Sequence, residues 1–218
     1  MPRKPLIRSQ EFPYHVTARA NNKELFPVPM TELWRIASEE LYLLNLMYEA
    51  EIHGFVLMPN HIHLMLTTPG DDLGMLMQIF MGQLTKRANY TSGRSGHLFG
   101  ARYHWSIITS TRYYGNVLKY VYRNPVKAQI CNQVEEYEFS TVSGTLGQQV
   151  LPFPIHLSRI GLDVNLPNHR YPEVWRDWLN TPFAGEIEKD LQKRMRKKVI
   201  CDDPEKVSGY FSPEKAEK

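Results

Sequence analysis

Met58-Pro59-Asn60-His61-Ile62-His63-Leu64-Met65-Leu66 is the stretch on which the fold turns. Pro59-Asn60 is a turn dipeptide, and the residues after it alternate as a β-strand requires, with side chains on opposite faces in turn. Ile62, Leu64 and Leu66 then line one face, while His61 and His63 stand side by side on the other. Before the turn, Glu49 to Met58 reads as a second strand, with Ala50, Ile52, Gly54 and Val56 on one face and Glu51, His53 and Phe55 on the other. Two strands joined by so short a turn make an antiparallel hairpin. The two imidazoles, one strand repeat apart, form a pincer able to hold a divalent cation, because neutral imidazole is a ready metal ligand. The same spacing also fits two polar residues on a solvated face.

Upstream, Phe12 to Ala20 is a further strand, in which Tyr14, Val16 and Ala18 alternate with His15, Thr17 and Arg19. A helix follows from Met30 to Met47, with Leu33, Ile36, Ala37, Leu41 and Leu44 as its apolar stripe and Thr31 as its expected N-cap. Downstream of the hairpin, the loop Thr68-Pro69-Gly70-Asp71-Asp72 ends in a helix cap. Leu73, Leu76, Met77, Phe80, Leu84 and Ala88 then recur at helical spacing, a stripe that core packing explains. Tyr90 to Gly100 reads as a polar, glycine-rich and basic loop, and Arg102 to Thr109 as a fourth strand. Ser110 or Thr111 caps another helix, turning Val117, Leu118 and Val121 inward and ending at Asn124-Pro125, since a residue before proline is steered out of helical geometry. The order β-α-β, β-α-β, helix predicts an α+β, ferredoxin-like (RRM-like) antiparallel sheet with two helices on one face. The other face is left for a ligand or for the extra helix.

Beyond Gln149 the pattern weakens, because Pro152, Pro154, Pro167, Pro172 and Pro182 cut the chain into short pieces. Val174, Trp175, Trp178 and Leu179 suit a small helix, and Ile187, Leu191, Met195 and Val199 a longer one ending in the basic run Lys193 to Lys198. The end after Pro204 is polar and reads as loose. We divide the chain into a main unit, 1–148, and a C-terminal extension, 149–218. At 218 residues, 42% of them hydrophobic and 22% charged, the chain can bury a sizeable core. A net charge of +3 and a pI near 8.8 permit a polyanionic partner without demanding one. Cys131 and Cys201 offer neither a disulfide framework nor metal-type spacing, which suits a reducing compartment. With no apolar run after the charged Met1-Pro2-Arg3-Lys4-Pro5, and none long enough to cross a membrane, the expected location is cytoplasmic.

The second half of the functional argument is Lys119-Tyr120-Val121-Tyr122-Arg123-Asn124-Pro125. Tyr120 and Asn124 share a helix face one turn apart. A tyrosine hydroxyl can attack phosphorus and hold a cut strand as an ester, but with an ordinary pKa of about 10 it needs assistance. A cation held by His61 and His63 would polarise the phosphate, and Asn124 could add its amide oxygen as a third ligand. Mg2+ or Mn2+ suits such a site, and two histidines admit zinc as well. Tyr122, the competing phenol, lies about 160° around the helix from Asn124, which favours Tyr120. Any one of the 12 tyrosines can equally be an ordinary packing residue.

These motifs carry a resemblance. His61-Ile62-His63 within Met-Pro-Asn-His-Ile-His, followed by Tyr120-Val121-x-x-Asn124-Pro125-Val126-x-Ala128, resembles the single-strand DNA transposases of the HUH class. The nearer likeness is to the REP-associated tyrosine transposases, relatives of the smallest insertion-sequence transposases. His15-Val16-Thr17-x-Arg19, Gly96-His97-Leu98-Phe99-x-x-Arg102-Tyr103 and Tyr137-x-Phe139-Ser140 fit the same pattern, which runs from about Phe12 to about Ser143. Pro154 onward matches nothing in it. The resemblance implies that Tyr120 is the nucleophile and that His61 and His63 are metal ligands. Where the family's smallest members carry a liganding glutamine, four residues after the tyrosine, this chain has the shorter Asn124. It also implies single-stranded DNA folded as an imperfect hairpin as substrate, cut near its foot and rejoined through a 5′-phosphotyrosine, by a monomer or homodimer.

For DNA contact, Arg19, Lys86, Arg87, Arg94, Arg102 and Arg112 are candidates for phosphates, and Tyr103, His104 and Trp105 for base stacking. Each is also an ordinary solvated charge or sheet residue; Arg94 and Arg102, flanking Gly96-His97, are favoured as a group. The Lys193 to Lys198 run fits a charged helix end as well as a DNA contact. Two other functions fit the same features. A non-catalytic nucleic-acid binder would use the sheet as RNA-recognition modules do, although no RNP-type aromatic run stands on a central strand. A metal-dependent phosphodiesterase would activate water and leave no tyrosine adduct.

Overall fold

The computed structural model describes residues 6–70, 72–157 and 171–202. Asp71, Pro167 and the polar end after Pro204 lie outside the described residues. In chain order come β1 (Tyr14–Arg19), α1 (Met30–Tyr48), β2 (Glu51–Met58), β3 (His61–Thr67), α2 (Leu73–Ser92), β4 (His104–Ile108) and α3 (Thr111–Lys127). They are followed by α4 (Val142–Thr145), α5 (Pro172–Asn180), α6 (Gly185–Arg194) and β5 (Val199–Ile200). The sheet order is β2-β3-β1-β4-β5. The first four strands pair antiparallel, the ferredoxin-like arrangement that the doubled β-α-β pattern predicts, and β5 adds itself parallel to β4. No helix among the described residues is long and apolar enough to cross a membrane.

Two apolar layers sandwich the sheet. On one face Tyr14, Val16, Phe55, Leu57, Ile62, Leu64 and Leu66 meet the stripes of α1 and α2. All six residues of the expected α2 stripe are buried. Asp72 caps that helix, its carboxylate accepting from the Gly74 N–H at 2.6 Å, and Gly93, at φ 65°, ends it in the left-handed region open to glycine. On the other face Val56, Met58, Met65 and Ile108 meet Val117, Leu118 and Val121 of α3, and Trp175, Leu179, Leu191 and Ile200 of the C-terminal extension join the same cluster. The extra helix thus covers much of the face left open by α1 and α2, and what remains of that face is an open cavity.

Several local expectations are corrected. α1 begins at Met30 as expected but with Pro29 rather than Thr31 in the N-cap position, and it ends with Glu49 in the left-handed region (φ 54°), so β2 starts at Glu51 rather than Glu49. A register shift between Ile52 and Gly54 breaks the alternation of β2. Ile52 therefore sides with Phe55 and Leu57, while Val56 and Met58 face α3. Tyr90 to Ser92 belong to α2 rather than to the loop. α3 runs past Asn124-Pro125 to Lys127, because Asn124 Nδ2 donates to the carbonyls of Tyr120 (2.8 Å) and Val121 (3.3 Å), the latter being the one that Pro125 has no N–H to serve. α6 stops at Arg194, and Val199 lies on a strand instead. Val174 of α5 is half exposed rather than packed.

Both long edges of the sheet are covered. Along β2, Leu57 N–H donates to Phe139 O (2.9 Å), Thr141 N–H to Phe55 O (3.0 Å) and His156 N–H to Ile52 O (2.8 Å). Along β4, Ile107 and Thr109 donate to Lys198 O (2.9 Å) and Ile200 O (3.0 Å).

Candidate active site

The alternation of β3 turns His61 and His63 toward the α3 side of the sheet, opposite Arg19 and Thr17 of β1. His61 Nδ1 lies 2.7 Å from the Asn60 carboxamide oxygen. That oxygen can only accept, so the proton sits on Nδ1 and the Nε2 lone pair is left for a ligand. His63 Nδ1 lies 3.0 Å from His15 Nε2, with the two rings stacked at 5.3 Å. His63 Nε2 is buried and has no partner among the described residues. The His61 and His63 rings are 5.0 Å apart, centroid to centroid.

Tyr120 reaches the same place from α3, its ring 6.2 Å from that of His63 and edge-on to it. Asn124 follows one turn later. These four residues line one open cavity of about 900 Å³, with Arg19 and Arg102 on its wall. A smaller chamber of about 330 Å³ shares Tyr120 and His63 with it and adds His15, Gln192, Met195 and Arg196. Lys127 lines both, its ammonium 5.6 Å over the Tyr120 ring and ion-paired to Glu188 of α6.

Burial dominates the electrostatics. It pushes His61 down to about 4, with the Arg19 guanidinium adding to the effect. It pushes His63 well below its ordinary value, reinforced by His15, His61 and Arg19. His15 falls to about 3, by burial and then by His104. All three imidazoles are therefore neutral at pH 7, the form that binds a cation. Burial also raises the Tyr120 phenol, Lys127 opposing and Glu188 reinforcing it. Among the described residues no three His, Cys, Asp or Glu side chains form a metal cage. The donor set is two imidazole nitrogens, the unpaired His63 Nε2 among them, with the Asn124 amide beside them. That set fits a six-coordinate divalent cation that takes its other ligands from substrate oxygens and water.

Tyr122, the competing phenol, is fully buried, its hydroxyl 3.1 Å from Thr141 Oγ1, and so it faces no solvent-accessible substrate. Of the basic candidates, the structure brings only Arg19 and Arg102 to the cavity. Arg94 lies just past the end of α2, lining a different, narrow crevice. Lys86 sits on the outer surface of α2 beside Met75 and Gln78. Arg87 is tied to Glu39 and to Glu40 (2.8 Å), and Arg112 lies 6.0 Å from the Tyr113 ring centre. Of the stacking candidates only His104 lines the cavity. Trp105 points into the core on the α1 side, and Tyr103 packs partly against that core. The basic run divides: Arg194 bonds Asp190 and the Cys201 carbonyl, Lys198 lies over Trp105, and Arg196 lines the smaller chamber.

Lys127 and Gln192 line the candidate site without having been singled out from the sequence, and His15 was quoted only within the family-like motif, with no role attached to it. A signal for His15 was present: it shares the alternation of Thr17 and Arg19, and antiparallel pairing sets that face beside His63. Gln192 carried none.

No family model matches the chain, and no curated protein does. Among solved structures, a REP-associated tyrosine transposase bound to a REP hairpin is similar, with a TM-score of 0.54 and 19% identity over 72% of this chain and 93% of that one. A candidate transposase from Deinococcus radiodurans R1 aligns with a TM-score of 0.38 and 16% identity, over 59% of this chain and 92% of that one. The first likeness is one of fold.

Proposed function

We propose that this chain is a single-stranded DNA transposase of the REP-associated tyrosine type, cutting and rejoining DNA beside a hairpin through a covalent bond to Tyr120. The observation that carries this reading is the meeting of one phenol with two neutral imidazoles in one open cavity, 6.2 Å separating the Tyr120 and His63 rings. The fold shared with a REP-associated tyrosine transposase that was itself bound to a REP hairpin supports the same reading. Mg2+ or Mn2+ would be held by His61, His63 and the Asn124 amide oxygen, and when bound would supply positive charge to the scissile phosphate and its leaving oxygen.

The chain's own residues do the rest. The Tyr120 oxygen attacks phosphorus, forming a bond to the 5′-phosphate as the bond to the 3′-oxygen breaks, and the phenol proton leaves into the open cavity. Lys127, with its ammonium over the ring, offsets the charge that develops on the phenol as the proton departs. Arg19 and Arg102 on the cavity wall hold the flanking phosphates. Rejoining reverses the exchange: a 3′-hydroxyl attacks the phosphotyrosine, so the bond energy is conserved and no separate energy source is needed.

The test is a denaturing gel with a labelled oligonucleotide carrying a hairpin and a single-stranded flank, in Mn2+. The expected result is a covalent protein–DNA band that Tyr120→Phe abolishes while binding persists. A band surviving that change moves the nucleophile elsewhere, cleavage without any band identifies water as the nucleophile, and binding without cleavage leaves a non-catalytic binder. Each of the three overturns the proposal.

A further inference from the structure

The smaller chamber of about 330 Å³ has a composition of its own. Among the described residues no carboxylate lines it, Glu188 reaching only the Lys127 ammonium at its margin; its polar wall includes Lys127, Arg196, Gln192, His15, His104 and Tyr120. Arg196 has no ion-pair partner among the described residues, and it sits in a turn closed by the Lys197 N–H donating to the Arg194 carbonyl at 2.8 Å. The Ser106 hydroxyl fixes the same loop through the carbonyls of Met195 (3.0 Å) and Lys197 (2.5 Å). The guanidinium is therefore carried on an anchored backbone at the chamber wall.

His15 supplies the second observation. It is 2% exposed, and its Nδ1 has no partner among the described residues. The contact between His63 Nδ1 and His15 Nε2 at 3.0 Å needs one donor and one acceptor. If His63 Nε2 is to keep its lone pair for a ligand, His63 must carry its proton on Nδ1 and His15 must accept at Nε2. The remaining proton of His15 then lies on Nδ1, a buried donor with nothing to donate to. A donor left unpaired, in a chamber that an unpaired guanidinium also lines and no carboxylate among the described residues does, calls for an acceptor carrying negative charge.

We propose that this chamber seats a backbone phosphate of single-stranded DNA, held by Arg196 and by the His15 Nδ1–H, so that the segment after α6 forms part of the DNA-binding surface. The strand is favoured over a free anion because the chamber adjoins the main cavity, the two sharing Thr17, His63, His104, Tyr120 and Lys127 as lining. A strand with its scissile phosphate at Tyr120 needs somewhere to continue. The inference deepens the DNA-acting reading above and rests on it.

The experiment uses the full chain in the Tyr120→Phe background, in EDTA, with a fluorescent hairpin oligonucleotide bearing a single-stranded flank, titrated by anisotropy across a salt series. Arg196→Gln is expected to weaken binding about tenfold and to lower the slope of log affinity against log salt by about 0.7, the loss of one single-strand phosphate contact. Lys193→Gln, which removes the same charge three residues away and outside the chamber, should change neither by more than about twofold. Equal effects of the two variants would mean a diffuse basic field and overturn the inference, as would no effect of Arg196→Gln. The His15 ring nitrogens, followed by 15N NMR, should shift with the oligonucleotide and not with inorganic phosphate at the same concentration. A shift with phosphate alone overturns the strand assignment. Failure of the chain to bind DNA at all sinks both readings, whereas an intact covalent adduct with an indifferent Arg196→Gln sinks this one alone.

Discussion

Two tyrosines two positions apart in α3 have opposite fates, and the difference is one of environment. Tyr120 lines the cavity, while Tyr122 is sealed in the core with its hydroxyl on Thr141 Oγ1. Tyr122→Phe should therefore cost about 1 kcal/mol of stability through one lost hydrogen bond, measured by chemical denaturation, and should leave the covalent adduct intact. The imidazole pair makes a prediction that does not depend on cleavage. Mn2+ at tenfold its Kd should raise the melting temperature by about 3 °C, and His61→Ala should lose that response; a variant that keeps it would disprove the pincer. The pincer and the phenol were both legible in the sequence, because strand and helix periods alone set which side chains share a face. The contact between His15 and His63 was legible only in part, since it needs the strand order as well as the alternation. Most of the basic candidates were not resolved at all. Nothing in the local sequence says that Arg87 faces Glu39 and Glu40 on a neighbouring helix, whereas Arg19 lines the open cavity.

At the level of elements, α3 sits against β2 at one point of close approach. A methyl group at Gly54 would lie 2.8 Å from Leu118 Cδ1 and 3.1 Å from the Tyr122 hydroxyl. Gly54→Ala should therefore cost about 1–3 kcal/mol, read as a lowered denaturation midpoint, with a weaker adduct because α3 carries Tyr120. Gly54 follows the register shift in β2, and that shift defeated the alternation argument there. An inserted residue reverses every facing downstream, and the one local signal for it, a glycine inside a strand at position 54, marks a bulge or a close approach without saying which. The end of α3 was misread for a related reason. Pro125 does remove an N–H, but Asn124 Nδ2 replaces it, so the helix continues by a side-chain substitution that the usual proline rule does not anticipate. The C-terminal elements were the least legible because their order follows from tertiary packing. Trp175, Leu179 and Leu191 find a core only once α3 is in position.

The whole molecule carries a pH dependence in its buried imidazoles. His53, fully buried between the His156 carbonyl and Thr67 Oγ1 (2.7 Å), is pushed down to about 4, chiefly by burial. In the unfolded chain it takes up its proton near pH 6.5, so between about 6.5 and 4 the unfolded state binds more protons than the folded one. Stability is accordingly full above pH 6.5 and is lost on acidification through that window. His53 alone should account for a loss of about 2–3 kcal/mol between pH 7 and pH 4.5 in denaturant titrations. His53→Gln should flatten that slope, and an unchanged slope would show that the imidazole is not held neutral. The covered sheet edges bear on how copies of the chain can meet. Phe139, Thr141 and His156 already occupy the ladder positions of β2, and the far side ends in a β5 only two residues long. Among the described residues neither margin offers a second molecule a long row of open amides onto which to graft a further strand. A contact between two copies at these described margins would therefore rest on side chains rather than on a shared backbone ladder, and single surface substitutions should suffice to dissolve it.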